Sequence, residues 1–560
     1  MITTTLIREK RGRKKMIKRY INKIITGLTL TGLAINILCP AVLAASYTDV
    51  PSDHWAATVI NQAADAGIMQ GRDNGEFGLG DTIKRSEFAA MLVRMMKWDE
   101  STAEVSAFTD ANTNDWFYAD VNTLAERNVY SESAFRPNDN ITRRGMAVML
   151  VKALGYDELA KSEINTVFGD VTTDAGYIAV AYNLGIINGK SETVFDPEGS
   201  ALREEGAAMM MRMYNKYYSS LDELHGFYAI SSWGQKEVAA QMDSVSFGWS
   251  RLTYTDDGKV FLNQTIQDDN DWYVPDGYQD ALDYVMNNGA SVNLAVTMTD
   301  SYDCKAILLN ADNRAEAVNQ LIAASENFNG ITVDFEGMKG AELKEGLNQF
   351  VKELKSTLGN KKLYVAVHPV LKNSAEYFDA YDYKTLGEYA DKIILMAHDY
   401  AAYTLPENLL NTDFIATPVT PFDEVYTALK AITNPITGVQ DKEKIVFAVS
   451  TASTTAWNTT DKKITDGKSI HPALDTVEKR LAQSDTEITY SEKYKNPYAF
   501  YTTEDGQQIL LWYEDSRSIK DKIKLSKMFG VNSLSVWRIG AIPNGSAEQY
   551  MDVWETIIRN

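Results

Sequence analysis

Cysteine is nearly absent from this chain. Its 560 residues hold two, Cys39 and Cys304. Cys39 falls in an N-terminal stretch that reads as a removable leader, so one thiol remains and no disulfide within the chain is expected. Histidine is scarce too: His54, His225, His368 and His471 show no metal-ligand spacing, and neither a metal nor a cofactor is expected. Positive charge is in deficit. The formal net charge is -21, and the first 44 residues carry nine basic groups against one acid, Glu9. The remainder is therefore near -29, a poor partner for nucleic acid or for anionic membranes. No stretch after the leader is apolar enough to span a bilayer, so no membrane association is expected once the leader is removed.

What basic charge there is gathers at the start. Arg11, Arg13, Lys14, Lys15, Lys18 and Arg19 precede an apolar run from Ile24 to Leu38, and Val42-Leu43-Ala44 offers a small-residue cleavage site. Residues 1–44 therefore read as a signal peptide, with Met16 as an alternative start. The apolar run is short for an anchor, and Leu38-Cys39-Pro40 does not look like a lipoprotein box. An exported, disulfide-free, acidic chain points to the surface of a Gram-positive bacterium.

Residues 46–217 repeat three times, as 46–100, 101–160 and 161–217. Asp53-His54-Trp55 matches Asn114-Asp115-Trp116, and Asp174-Ala175-Gly176-Tyr177 takes the third place. Phe77, Phe135 and Phe195 mark a second register, and Arg85, Arg143 and Arg203 a third, each separated by 58 and then 60 residues. The first unit predicts a helix from Trp55 to Ala66, a glycine-containing loop, and a helix from Ser86 to Met96 carrying Phe88, Met91, Leu92 and Met95 on one face. Units of this kind bury their apolar faces against one another.

These residues resemble S-layer homology (SLH) modules: Tyr47-Thr48-Asp49-Val50, His54-Trp55, Gly67-Ile68-Met69-Gln70-Gly71 and Ile83-Lys84-Arg85-Ser86-Glu87. The later copies read Ile141-Thr142-Arg143-Arg144-Gly145 and Ala201-Leu202-Arg203-Glu204-Glu205. The resemblance implies an all-α-type assembly that grips an acidic secondary cell wall polymer through Trp55, Arg85, Trp116, Arg143 and Arg203. An arginine fork beside a helix start suits a carboxylate or ketal group. Two positions depart from the pattern, Gly145 for glutamate and Tyr177 for tryptophan.

After a short linker near Asn215–Leu221 the period changes, and residues 222–560 alternate apolar strands with helical segments. Eight strands are predicted: His225–Ser231, Ser244–Ser250, Ser291–Met298, Gly330–Glu336, Leu363–His368, Lys392–Asp399, Lys444–Ser450 and Ser533–Trp537. The whole is thus multidomain, helical repeats followed by an α/β TIM (β/α)8 barrel, and the short linker predicts that the barrel sits close to the repeats. The aromatic-rich segment Tyr490–Tyr513 predicts a hairpin around Glu504-Asp505-Gly506 that walls one side of a groove, with Tyr498 and Tyr501 as packing residues.

Asp334 and Glu336 stand two apart on the fourth strand, so both carboxyls emerge on one face. From the short motif alone, a catalytic pair and a core strand with acids at its solvated end are equal readings. Trp249, His368, His398, Asp399 and Trp537 fall at other strands' C-terminal ends, the face on which barrel enzymes carry their sites. That clustering favours catalysis.

The barrel resembles glycoside hydrolase family 18, in its spore-cortex-lytic and spore-germination branch. The family's Asp-Gly-x-Asp-x-Asp-x-Glu stands here as Asn329-Gly330-Ile331-Thr332-Val333-Asp334-Phe335-Glu336, its Met-x-Tyr-Asp as Met396-Ala397-His398-Asp399, and its eighth-strand tryptophan as Trp537. Trp512 to Ile519, followed by Lys522, matches the branch before its last helix. The resemblance implies Glu336 as general acid and Asp334 as the residue that orients the sugar's 2-acetamido group, raising the pKa of Glu336 as it does so. Trp537, Asp399, His398, Met396 and Trp249 would bind substrate, a peptidoglycan or chitin-like glycan. Thr332 replaces the family's middle aspartate and His398 its tyrosine. A chitinase or endo-β-N-acetylglucosaminidase, and a non-catalytic glycan-binding S-layer or wall protein, stand as the alternatives.

Overall fold

The three repeats close into a ring. In the computed structural model, which describes residues 47–163, 165–338, 340–372 and 378–560, the first repeat supplies α1 (Ala57–Asp65) and α2 (Arg85–Met96). The second supplies α3 (Tyr118–Glu126), α4 (Arg143–Ala153) and α5 (Asp157–Ser162), and the third α6 (Ala175–Asn183) and α7 (Arg203–Tyr217). The expected signal peptide lies outside the described residues. Backbone hydrogen bonds pass round the ring: Ile141 N–H to Ile83 carbonyl at 2.9 Å, Ala201 N–H to Ile141 at 3.1 Å, Ile83 N–H to Ala201 at 3.1 Å. Those three residues are fully buried, as are Phe77, Phe135 and Phe195. An aspartate in each repeat (Asp49, Asp110, Asp170) caps the backbone N–H groups at that phenylalanine.

The arginines latch the ring. Nε of Arg85 donates to Phe135 carbonyl at 2.7 Å, Arg143 to Phe195 at 2.9 Å, and Arg203 to Phe77 at 2.9 Å, so each reaches into the next repeat. Each guanidinium also lies about over that phenylalanine ring. The three arginines expected to grip a polymer are therefore not equally free to do so. Arg143 and Arg203 are buried, and their outer nitrogens are taken up by the fold: Arg143 by Asn188 carbonyl (2.8 Å) and Glu205 (3.6 Å), Arg203 by Gln70 carbonyl (3.1 Å) and Glu87 (3.5 Å). Trp55 and Trp116 precede α1 and α3 and remain exposed, while Tyr177 on α6 is tied to Asp157 at 2.5 Å.

Eight parallel strands close the barrel: β1 (Glu223–Tyr228), β2 (Ser244–Tyr254), β4 (Ser291–Met298), β5 (Gly330–Phe335), β6 (Lys362–Val367), β7 (Lys392–Leu395), β8 (Ile445–Ser450) and β14 (Ser533–Ile539). A ninth, β3 (Val260–Asn263), pairs antiparallel with β2. Strand β5 is buried along its whole length because helices cover one face and the barrel interior the other. The helix Glu342–Thr357 shows how: Leu343, Leu347, Phe350, Val351 and Leu354 are buried on one stripe, while Glu342 and Lys352 lie off it.

All eight expected strands are present; most ends shift by a few residues, and two of the shifts bear on the site. β5 stops at Phe335, and β7 at Leu395, since Asp399 takes a left-handed φ of 58° and the chain turns off the sheet before it. The hairpin around Gly506 belongs to a larger element, a five-stranded antiparallel sheet ordered β10 (Lys463–Ile464), β9 (Thr454–Thr460), β13 (Gln508–Tyr513), β12 (Asn496–Thr502) and β11 (Glu487–Ser491). Tyr498 stacks on Trp512, with ring centroids 4.7 Å apart.

Repeats and barrel pack directly. Tyr156 stacks on Phe422 with centroids 5.1 Å apart, Asn183 donates to the Tyr426 hydroxyl at 2.8 Å, and Lys216 donates to Met528 carbonyl at 3.0 Å. Burial lowers the pKa of Lys216 to about 8.

Candidate active site

Strand β5 delivers Asp334 into the barrel mouth and Glu336 just beyond it. The backbone between them is clamped from several sides. Glu336 N–H donates to Met298 carbonyl at 2.9 Å, and the Tyr381 hydroxyl donates to Phe335 carbonyl at 2.6 Å. His368 bonds the Glu336 backbone, while burial lowers its own pKa to about 4, which keeps the ring neutral. Burial, then Asp334 and Glu336, push the Tyr381 phenol well up, so it stays a donor.

Asp334 is buried, and among the described residues its Oδ1 has no hydrogen-bond partner. Burial, and then the Glu336 charge, push its carboxyl well above the usual range. Glu336 is half-buried and is also raised, chiefly by burial, with Asp399 raising and His398 opposing. The expected elevation is therefore there, but desolvation leads it and not the neighbouring carboxylate.

Asp399 sits on the turn after β7, and its Oδ2 meets Nδ1 of His398 at 2.8 Å. Its other oxygen accepts from Ser453, whose hydroxyl lies 2.7 Å from that of Ser450. Burial pushes Asp399 up, but His398 and the two serines outweigh it and hold the carboxyl below its ordinary value. An ionised acid thus stands beside one poised to keep its proton.

Trp537 joins two cavities. One, of about 410 Å³, is lined by Asp334, Tyr228, Trp272, Tyr273 and Thr297; the other, of about 810 Å³, is lined by Asp399, Tyr403, His471, Asp475 and Glu478. Trp537 and Arg538 border both. Met396 is buried in a cluster with Phe227, Tyr364 and Ala448 against which Trp537 packs, with the Phe227 ring 5.3 Å from the indole.

Trp249, expected on this surface, is not there. With Ser246 and Gly248 turned inward, strand alternation puts Trp249 on the outer side of β2 with Phe247, 1% exposed and against Tyr278, and the register shifts there between Gly248 and Ser250. Gly248 faces the cavity in its place. The wall expected from Tyr490–Tyr513 is built instead by Thr454 and Thr455 on β9 of the same sheet and by the segment from His471 to Glu478, which runs into the helix Leu474–Leu481.

Beneath the acids lies a neutral polar chain. Ser535 contacts His225 Nδ1 at 2.8 Å, His225 Nε2 contacts Ser246 at 2.7 Å, Ser246 contacts Thr332 at 2.6 Å, and Asn293 donates to Thr332 at 3.3 Å. All five are buried, and burial lowers the His225 pKa to about 3. Strand alternation could have placed Ser246, Thr332 and Ser535 inside the barrel, but their meeting with His225 depends on strand register.

Two family models match the chain. The model of glycosyl hydrolases family 18 matches residues 221–541, and that of the S-layer homology domain matches 46–89, 107–147 and 167–206. An amylopullulanase of Thermoanaerobacterium thermosulfurigenes is 30% identical over 181 residues, 30% of this chain and 10% of that protein. An S-layer protein of Bacillus thuringiensis subsp. finitimus is 24% identical over 216 residues, 38% of this chain and 26% of that one. The chain therefore spans about a quarter or less of these curated relatives. The spore cortex-lytic enzyme SleL of Bacillus cereus has a solved structure 18% identical, with a TM-score of 0.48, covering 61% of this chain and 74% of that one. With its family model matched over more than half the sequence, this chain belongs to glycosyl hydrolases family 18 and carries three S-layer homology repeats ahead of the hydrolase barrel.

Proposed function

We propose that this protein is a wall-held β-N-acetylglucosaminidase that cleaves peptidoglycan glycan strands with retention of configuration. The observation that carries the reading is the pair at the end of β5: a Glu336 whose proton is held by burial, next to an Asp334 carboxyl with an unpartnered oxygen. Glu336 protonates the glycosidic oxygen as the bond to the anomeric carbon breaks. The acetamido carbonyl oxygen of the same sugar attacks that carbon and forms an oxazolinium ring, so no protein nucleophile is required. Asp334 Oδ1 accepts the acetamido N–H and stabilises the positive ring. Glu336, now ionised, takes a proton from water, which opens the ring on the same face. Trp537 stacks beneath the sugar, and His398 with Asp399 bonds its polar edge.

The repeats support the wall as the place of action, because anchoring concentrates an enzyme over an immobile polymer. Arg85 is the arginine best suited to an anionic polymer: it is half-buried where Arg143 and Arg203 are buried, and its Nη2, though inaccessible itself, has no hydrogen-bond partner among the described residues, unlike their engaged outer nitrogens. Trp55 and Trp116 add exposed aromatic faces for the same ligand.

Product analysis of purified peptidoglycan and of chitin oligomers, with wild type and Glu336→Gln, tests the reading. New reducing N-acetylglucosamine ends from peptidoglycan, reduced at least 100-fold by the substitution, are expected. Cleavage confined to chitin makes the protein a chitinase. Binding without release from either substrate, unchanged by the substitution, makes it a lectin.

A further inference from the structure

The cleft is acidic, with one exception. Asp271 and Asp334 line the smaller cavity, and Asp399, Asp475 and Glu478 the larger; Arg538, which borders both, is the single Lys or Arg among their described lining residues. Its guanidinium makes one hydrogen bond among the described residues, Nη1 to the Ser231 hydroxyl at 2.8 Å. Among the described residues it forms no ion pair with any of the five acids. It keeps most of its donors for the cleft.

Arg538 is also held in place. The chain after it is stapled to the segment following β1: Gly540 N–H donates to Gln235 Oε1 at 2.8 Å, Ile542 N–H to the same oxygen at 3.2 Å, and Gln235 Nε2 to Ile542 carbonyl at 2.8 Å. Ser232 donates to Ile539 carbonyl on the other side. Gly540 takes a φ of 95°, and a Cβ there would stand 2.8 Å from Cα of Ser232, so this approach needs glycine. The fork is thus presented next to the Trp537 platform with its backbone fixed, which limits the ordering cost of using it.

We propose that Arg538 is a specificity residue that binds a carboxylate borne by the glycan, at a sugar seated against Trp537. Chitin is neutral along its length and offers no such group. Peptidoglycan offers two sources, the 3-O-lactyl carboxylate of a muramic acid whose peptide has been removed, and the carboxylates of an intact stem peptide. Either would meet a planar fork suited to bidentate contact, in a cleft that otherwise repels anions. The inference rests on the proposed hydrolase reading and narrows its substrate.

The test compares wild type, Arg538→Gln and Arg538→Lys on three substrates: chito-oligosaccharides, glycan strands stripped of peptide, and strands with stems intact. Arg538→Gln is expected to lose roughly 10- to 100-fold more kcat/KM on a carboxylated strand than on chito-oligosaccharide, with Arg538→Lys between them. The strand type showing the larger loss identifies the carboxylate, and methyl esterification of that strand should abolish the difference. Equal loss on all three substrates, or none, overturns the proposal. Binding is titrated in parallel with Glu336→Gln and the Glu336→Gln/Arg538→Gln double variant, so Arg538 is read even where turnover is absent. Weaker binding of carboxylated strands by the double variant then supports Arg538 although the hydrolase reading has failed; equal binding overturns both.

Discussion

Gly145 and Arg85 face each other across the seam between the first two repeats: a Cβ built on the glycine would stand 4.0 Å from Nη1 of the arginine. At the other two seams the matching position is a glutamate, Glu205 toward Arg143 and Glu87 toward Arg203. Repeat two, which departs from the pattern at Gly145, is therefore the copy that leaves its facing arginine without a carboxylate. Gly145→Glu should fill the gap. A helix glycine is lost and a carboxylate is placed in the first turn of α4, but the new Cβ meets the Thr142 hydroxyl oxygen at 3.2 Å, so stability should rise by no more than about 0.5–1 kcal/mol. Wall binding should fall, as it should in Arg85→Gln. All three arginine-to-glutamine changes remove a latch, but Arg143→Gln and Arg203→Gln should lower the melting temperature more than Arg85→Gln, since each also strips the buried bonds of its outer nitrogens. Thermal melting and cosedimentation with purified walls separate these effects.

Removing Asp399 should move the pH profile. Glu336 acts in its protonated form, and the Asp399 charge helps to hold that proton. In Asp399→Asn the raising charge is gone, so the Glu336 pKa falls and the alkaline limb of kcat/KM shifts to lower pH. The limb of Ser453→Ala should move little, because it loosens Asp399 without removing its charge. Rate profiles on a short oligosaccharide read both, and an unmoved limb in Asp399→Asn would count against Glu336 as the titrating acid.

The strand pattern in the sequence was enough to locate the barrel and the carboxylate pair, because period-two alternation and a parallel sheet fix which side chains reach the mouth. Trp249 obeys the same logic, which the expectation overlooked: alternation sends it outward with Phe247 once Ser246 and Gly248 face inward, and the strand runs on to Tyr254, so Trp249 does not stand at its end. Arg538 was visible beside Trp537, but its importance comes from which acids it does not pair with, a property of three-dimensional placement. The arginine latches were hidden for a similar reason. Spacings of 58 and 60 residues matched Arg85, Arg143 and Arg203 as one register of the repeat, whereas their partners lie 50 to 126 residues away around the ring.

Thr332 sits where an acid would be costly. It is fully buried, 2.6 Å from the Ser246 hydroxyl, in a chain that carries no charge. In Thr332→Asp, burial and the nearby Asp334 should raise the new carboxyl's folded pKa above its unfolded value near 3.9. The folded state then binds a proton that the unfolded state has released, so the cost is small below about pH 4 and grows as pH rises toward the folded pKa. The gap in melting temperature between wild type and variant should widen from pH 4 to pH 7. A constant gap would point to lost packing alone.

Glu514 and Lys522 tie the five-stranded sheet to the helix Ser516–Met528. Both carboxylate oxygens meet Nζ at 2.8 Å, both side chains are 1% exposed, and Ser518 and Asn496 complete the carboxylate's bonds. Buried so deeply, the pair contributes little against an apolar substitute but is costly to break. Glu514→Gln should therefore destabilise by about 3–5 kcal/mol, because it leaves the Lys522 ammonium in the interior without its counter-charge. Lys522→Met alone should be comparably harmful, and Glu514→Gln combined with Lys522→Met clearly milder than the two losses added. The damage should reach the cleft, since Asn496 on β12 holds Glu514 and β13 pairs with β9, the strand that places Thr454 and Thr455 in the larger cavity. Denaturant melts give the coupling between the two residues. Kinetics at a temperature where Glu514→Gln is still folded should show a higher KM on long strands than on short oligosaccharides, relative to wild type; an unchanged KM would mean that the wall holds without this tie.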